Sequence, residues 1–262
     1  MLSRSEFSKR FGARAVFGMV HLRPLPGAPL FGGSMDEVIG AAAADAKALA
    51  AGGCDGILFE NFGDRPFHKH VGAETVAAMA RVIADVRPPL PFGVNVLRND
   101  ARAAIAISAA TGAQFIRVNV HVGVMSTDQG MIEGEAADTL RMRASVAPLV
   151  LIFADFLVKH ASPVGDHSAR DLRERGLADA LIISGAETGE PADVQRLART
   201  RAAVDAPILI GSGLTAANAR DYTDADGAIV GTSVKRDGRV DMPVDTARVE
   251  RVVRAFKQLA VR

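Results

Sequence analysis

From Ala15 onward, short apolar runs rich in β-branched residues alternate with alanine-rich stretches of helical period. That alternation predicts repeated strand-helix units around a parallel sheet. Eight strands are read, at Ala15–Val20, Gly56–Glu60, Pro91–Val96, Gln114–Val120, Leu149–Ala154, Ala180–Ser184, Pro207–Gly211 and Gly227–Gly231. Eight helices accompany them, at Met35–Ala51, Ala73–Val86, Asp100–Thr111, Ala136–Val146, Ser168–Arg175, Pro191–Val204, Thr215–Arg220 and Asp245–Leu259. Ser34 with Glu37 three residues on reads as a capping box, Asn99-Asp100 and Thr215 as further caps, and Gly112 and Gly176 as stops. An open doubly wound sheet would show the same alternation. Eight units without a break in composition favour an α/β fold of one closed (β/α)8 TIM barrel.

Segments before the strands are mostly tight. Those after the first, second, fourth, fifth and eighth strands are long, at 21–34, 61–72, 121–135, 156–167 and 232–244. All five fall at the carboxyl face of a barrel, the face where long ordered loops carry function.

Composition narrows the class. A chain of 262 residues, 48% of them hydrophobic, matches one barrel domain spanning 1–262. Residues 1–14 are read as a polar N-terminal extension. With 31 Lys plus Arg against 30 Asp plus Glu, a formal charge of +1 gives no global field for nucleic acid. Cys54 has no partner cysteine, fits a helix-to-strand turn better than a nucleophile's position, and suits a reducing cytoplasm. No signal peptide is visible, and no apolar run reaches the roughly 20 residues that span a bilayer, so a soluble cytoplasmic protein is expected. Self-association through helical faces is left open.

Two glycine turns carry the strongest chemical signal. Gly211-Ser212-Gly213-Leu214 and Gly231-Thr232-Ser233 each follow an apolar run, at the ends of the seventh and eighth strands. Such turns bare backbone N–H groups, let an anion approach closely and, before a helix, add its positive end. Their consecutive placement predicts a phosphate clamp, to which Ser184 at the end of the sixth strand would add a donor and Lys235 a charge.

Polar residues gather where the other strands end. Glu60, Asn95, Asn119, His121, Asp155 and Lys159 are the candidate catalytic residues, and His21, Arg98, Arg117 and His160 the candidate substrate contacts. If Ile116, Val118 and Val120 face the helices, then Arg117, Asn119 and His121 face the axis, with Asn95 beside Asn119 across two strands. Asn95 and Asn119 would otherwise form a polar layer that only fills the barrel, and the two carboxylates could equally be members of structural salt bridges. Glu60 and Asp155 suit general acid or base work. Lys159 would serve as a Schiff-base lysine or as a point charge for phosphate or carboxylate. No cofactor is predicted. Two acids with Asn and His neighbours would suit Mg²⁺, but oxygen sites obey no spacing rule that marks one, and the six histidines show no zinc pattern.

Several of these segments together resemble a known family. They are His21-Leu22-Arg23-Pro24-Leu25-Pro26-Gly27-Ala28-Pro29, Glu60-Asn61-Phe62-Gly63-Asp64, Gly93-Val94-Asn95-Val96-Leu97-Arg98-Asn99-Asp100, Phe115-Ile116-Arg117-Val118-Asn119, Thr127-Asp128-Gln129-Gly130, Val158-Lys159-His160-Ala161, and the two glycine turns. From about Phe17 to Arg248 the chain resembles the BtpA/SgcQ family of barrel proteins. One departure is Phe156-Leu157 after Asp155, where the family usually carries a polar or basic residue before Val-Lys-His.

The resemblance implies a phosphate-binding TIM barrel. It also implies an association with photosystem I accumulation in one branch and with sugar transport and metabolism genes in another. Two expectations follow. One is an isomerase, lyase or glycosyl-transfer enzyme acting on a small phosphorylated sugar or nucleoside-like metabolite. The other is a non-catalytic assembly or regulatory factor for a membrane complex.

Overall fold

Strands whose side chains are apolar on both faces need cover on both, and the chain supplies it by closing the sheet. A computed structural model describes residues 1–158, 160–185 and 189–258. Eight parallel strands form the barrel: β1 (Ala15–His21), β2 (Gly56–Glu60), β3 (Phe92–Asn95), β4 (Phe115–Val118), β7 (Leu151–Phe156), β9 (Ala180–Ile183), β10 (Ile208–Ile210) and β11 (Gly227–Val230). Each pairs with the next in that order, and β11 closes back on β1 with Ala15 opposite Gly227. The predicted fold class is therefore the observed one, with strand ends trimmed by a residue or more at several places.

Helices α2 (Met35–Ala51), α3 (Ala73–Val86), α4 (Ala101–Thr111), α5 (Ala136–Val146), α6 (Val194–Ala203) and α7 (Thr246–Lys257) surround the barrel. Ser34 caps α2 by accepting from the Glu37 N–H, and Asp100 caps α4 through Ala103. Two predicted helices are reduced. The one expected at Ser168–Arg175 keeps a single π-type turn at Asp171–Arg175, and the one expected at Thr215–Arg220 is a short 3₁₀ turn at Ala219–Tyr222. Thr215 does not cap a helix; its N–H and hydroxyl both donate to Asn218 Oδ1.

Two elements were not expected. The segment read as a polar extension is helix α1 (Arg4–Phe11), capped by a Ser3–Glu6 box. Its polar face is exposed, but Phe7 and Phe11 are buried in the floor of the barrel against Phe17, Phe115 and Phe153, with ring centroids 5.2 to 6.3 Å from one another across these contacts. Above the opposite end, the long loops after β4 and β7 build an antiparallel sheet from β5 (Val124–Thr127), β6 (Gly130–Glu133) and β8 (Ala161–Val164). It covers a small core of Val120, Met125, Ile132 and Val158.

The floor is pinned by a repeated device. Asp55, Asp179 and Asp226 each stand just before a strand and accept the backbone N–H of a neighbouring strand, from Val16 (2.8 Å), Ile152 (2.9 Å) and Ile208 (2.9 Å). Each also meets a base, respectively Lys257, Arg143 and Arg201. Cys54 is buried beside the first of these, and burial pushes its thiol pKa up to about 12, as a packed rather than reactive thiol requires. Among the described residues no helix is long and apolar enough to cross a membrane.

Candidate functional site

Side chains alternate along a strand, so the residues that share a face with Phe17, Leu58, Phe115, Phe153 and Ile182 in the barrel interior include His21, Glu60, Arg117, Asp155 and Ser184 one or two steps higher. These form the top polar layer. The inward assignment of Arg117 and Asn119 against Ile116 and Val118 is the one predicted.

Arg117 and Asp155 are the centre of that layer. Arg117 Nε and Nη2 each donate to the Asp155 carboxylate at 2.8 Å, from side chains 2% and 0% exposed. Burial alone would lower the guanidinium's pKa. The charge and hydrogen bonds of Asp155, with Glu60 adding, hold it above its ordinary value instead. Asn119 Nδ2 (3.2 Å) and Ser184 Oγ (3.1 Å) donate to the same carboxylate, while Asn95 Nδ2 donates to Asn119 Oδ1 (3.0 Å) and to the Arg117 carbonyl (3.2 Å). Asp155 thus has four donors on its two oxygens, which fits a residue that fixes Arg117 and Asn119 rather than one that exchanges protons.

The glycine turns lie beside this network. Gly213 has φ +67°, and a Cβ there would sit 2.1 Å from the Glu190 carbonyl oxygen. At Gly211 a Cβ would fall 2.4 Å from Ile182 and 2.5 Å from Ser184 Oγ, so only glycine lets the chain turn this close to the sixth barrel strand, β9. Gly211 N–H is taken by the Ile183 carbonyl (2.8 Å), so its donor is unavailable to an anion.

Residues of both turns, Gly211 to Leu214 and Gly231 to Ser233, wall one narrow cavity together with His21, Glu60, Arg117 and Gly189. Next to it, and sharing Glu60, Arg117 and Thr232, is a cavity of about 620 Å³ whose other walls include Phe62, Arg65, Arg98, Asn119, Asp128 and His160. His21 Nε2 stands 3.7 Å from Glu60 Oε1, where the two cavities meet. Burial pushes the Arg98 guanidinium's pKa down, against the pull of Asp155, Asp128 and Glu60.

Of the predicted site residues, Glu60, His21, Arg117, Asn119, Arg98, His160, Gly211, Ser212, Gly213, Gly231 and Thr232 line these cavities. Others do different work. His121 turns away, with Nε2 2.7 Å from the Gly176 carbonyl, and lines neither cavity because the chain leaves β4 after Val118. Ser184 spends its hydroxyl on Asp155, and Ser212 Oγ bridges the Gly185 N–H (2.8 Å) and the Glu190 carbonyl (3.0 Å), so Ser212 offers the clamp only its backbone. Asn95 and Asp155 line neither cavity and act within the layer, holding Asn119 and Arg117 by hydrogen bonds. Lys235 is buried in an ion pair with Asp45 and cannot neutralise an anion at the turns. Neither turn runs into an α-helix, since Thr232–Val234 is a single 3₁₀ turn, so the expected helix dipole is missing. Lys159 lies outside the described residues.

Asp128 and Arg65 were not anticipated as site residues. Asp128 is at the tip of the β5–β6 hairpin and Arg65 on the loop after β2, with its guanidinium 5.2 Å from the centre of the Phe62 ring. Asp128 stood within a segment that carries the family resemblance, but nothing in its spacing marked a role. Asn61 and Asn99 brace the rim: Asn61 Oδ1 accepts from Leu97 N–H (2.7 Å) and Asn99 Oδ1 from Val120 N–H (2.7 Å). Among the described residues no group of three or more His, Cys, Asp or Glu is placed to hold a metal ion.

Comparison with known proteins supports the fold and shows the family. The model of the BtpA family matches residues 12–258. An uncharacterized protein of Thermococcus kodakarensis is 46% identical over 254 residues, covering 95% of this chain and 97% of its own length. The photosystem I biogenesis protein BtpA of Synechocystis is 45% identical over 252 residues, covering 93% of this chain and 88% of its own. Among solved structures, thiamine phosphate pyrophosphorylase from Pyrococcus furiosus superposes with a TM-score of 0.59 at 12% identity, over 95% of this chain and 98% of that one. (S)-3-O-geranylgeranylglyceryl phosphate synthase from Thermoplasma acidophilum, in complex with its substrate sn-glycerol-1-phosphate, gives a TM-score of 0.57 at 14% identity, over 99% and 100%. The chain belongs to the BtpA family.

Proposed function

We propose that this BtpA-family barrel is a single-domain enzyme that holds a small phosphorylated metabolite, of sugar or nucleoside type, by its phosphate at the paired glycine turns. The observation that carries the reading is that both turns wall one cavity with Arg117, Glu60 and His21. Backbone N–H groups after Gly211 and around Gly231–Ser233 would meet the phosphate oxygens, with Arg117 held toward them by Asp155. The names of the two solved neighbours, one a thiamine phosphate enzyme and one bound to a glycerol phosphate, support the same ligand class.

Binding energy from the phosphate would fix the rest of the molecule over Glu60 and His21. A carboxylate and an imidazole 3.7 Å apart can pass a proton between two substrate atoms, as an isomerisation or a lyase step requires, and Asn119 would orient a carbonyl or hydroxyl. The lone buried cysteine and a phosphorylated substrate both suit the cytoplasm.

Thermal shift and calorimetric titration against phosphorylated metabolites test this. Binding is expected in the wild type and lost in Thr232→Glu, which puts a carboxylate into the clamp. No response to any phosphorylated compound, with identical melting of the two proteins, would sink the reading.

A second reading has one specific support, the name of the Synechocystis relative. A non-catalytic assembly factor would co-purify with a membrane complex, and Thr232→Glu would leave that association unchanged.

A further inference from the structure

We infer that a third cavity, beside the candidate phosphate site, holds a second molecule, uncharged and largely apolar, which offers a hydrogen-bond acceptor to the buried ammonium of Lys235. The inference goes beyond the phosphate reading and stands without it.

This space, of about 470 Å³, lies between α2 and the loops that follow β1, β2 and β11. A volume of that order encloses a whole small ligand. Its origin in the sequence is the alanine run 41–44 on α2, whose methyl side chains keep the helix wall shallow where Ala41 and Ala44 line the space. The other walls include Leu22, Pro24, Leu30, Met242 and Pro243, so they are chiefly hydrocarbon, in contrast to the carboxylate, amide and guanidinium groups around the 620 Å³ cavity. Unlike walls call for unlike occupants.

The loops that form it are tied down, so the space is preformed. Gly63 N–H donates to the Leu22 carbonyl (3.0 Å), and a Cβ at Gly63 would meet the Pro24 nitrogen at 2.4 Å, so glycine is what lets these two loops touch. On the other side, Asp45 Oδ1 accepts the Val244 N–H (2.7 Å), and Arg236 N–H donates to the Pro243 carbonyl (2.9 Å).

The charges on the walls decide the charge of the occupant. Lys235 is paired with Asp45, Arg23 stands 3.7 Å from Glu37, and Asp241 accepts from Arg239 at 2.8 Å. Arg65 is exposed, where water and salt screen it. With these charges matched or hydrated, a charged occupant would leave water for hydrocarbon at a cost the walls do not offset.

One polar requirement remains. Lys235 is 2% exposed, and of the three N–H donors an ammonium carries, Asp45 takes one among the described residues. Asp45 itself is filled, by Lys235 on Oδ2 and by Val244 on Oδ1. The occupant's contribution is therefore an acceptor, a carbonyl, hydroxyl or ether oxygen.

His21 lines this cavity as well as the narrow one at the glycine turns, and Phe62, Arg65 and Val240 are common to it and the larger one. The second molecule would thus border the phosphorylated one.

NMR of the whole chain with methyl-labelled methionine tests this, with Met242 as reporter and acetophenone, ethylbenzene and ribose 5-phosphate as probes. Acetophenone should shift the Met242 methyl, and should do so with an affinity at least about threefold higher than that of ethylbenzene, which has the ring without the oxygen. The shift should persist in protein saturated with ribose 5-phosphate. Ala44→Phe lies on an exposed position of α2, so it should fold and abolish the shift, while Lys235→Met should bring the two affinities together. Where Lys235→Met does not fold, the wild-type comparison of the two probes decides. A Met242 methyl unmoved by millimolar acetophenone, or a shift that survives Ala44→Phe, would overturn the inference. Ethylbenzene binding as tightly as acetophenone to the wild type would overturn the role of Lys235, and displacement of acetophenone by ribose 5-phosphate would overturn the second molecule. Failure of ribose 5-phosphate to bind, with acetophenone bound, would count against the phosphate reading alone.

Discussion

The two ends of the barrel are built from the same alternating strands and spend their polar residues in opposite ways. At the floor, every carboxylate that stands at a strand start is satisfied at once by a neighbouring N–H and a base, and the interior is closed by five phenylalanine rings. At the mouth, charged and amide groups are also hydrogen-bonded, but the network is open on one side to two cavities. Saturated polar groups next to apolar packing make a foundation. A buried ion pair that faces a cavity gives up some of the stability an apolar layer would supply and holds a guanidinium in a fixed position. The comparison separates residues needed for folding from residues needed for binding, and substitutions can test that separation.

The largest effect is expected at the one place where the two roles coincide. Arg117→Ala leaves Asp155 as an unpaired buried charge, which should cost about 3–5 kcal/mol and abolish phosphate binding, measured by urea unfolding and calorimetry. At the floor, Phe11→Ala should cost about 3–5 kcal/mol by cavity formation while phosphate affinity in the folded fraction stays as in the wild type. Asp179→Ala removes the acceptor for Ile152 N–H and the partner of Arg143, for about 1–3 kcal/mol, again with no effect on binding. Thr232→Glu should show the reverse pattern, a stability change within about 0.5 kcal/mol with loss of phosphate affinity.

The smallest effect concerns His121, which burial keeps below the ordinary imidazole pKa. Its unfolded form takes up a proton first as the pH falls, so its contribution is present above about 6.5 and is lost between there and the lower folded value. Melting temperatures at pH 7.5 and 5.5 should differ less in His121→Asn than in the wild type.

Much of the barrel was legible because its signals are local. Buried strands read as short apolar runs, the inward face of β4 follows from alternation around Arg117, and a glycine such as Gly213 is demanded by its own backbone. What escaped depends on distant partners. Asp155 reads as a candidate base until Arg117, 38 residues earlier, clamps it, and Lys235 reads as a free cation until Asp45, 190 residues away, pairs with it. The hairpin of β5 and β6 takes its third strand from β8, beyond helix α5 and strand β7, a pairing that no local window contains. Helix α1 is a different case. Its Ser3–Glu6 box and the four-residue spacing of Phe7 and Phe11 are both present in the sequence, but Lys9 and Arg10 between the two rings give the segment the composition of a polar, basic tail.

The central claim is that the two glycine turns form one anion site above the Arg117–Asp155 pair. A crystal structure of the whole chain grown with phosphate or a phosphorylated metabolite tests it most directly. The account predicts density for one phosphate group between Gly211–Leu214 and Gly231–Ser233, within hydrogen-bond distance of Arg117. A phosphate bound elsewhere with both turns unoccupied would contradict it.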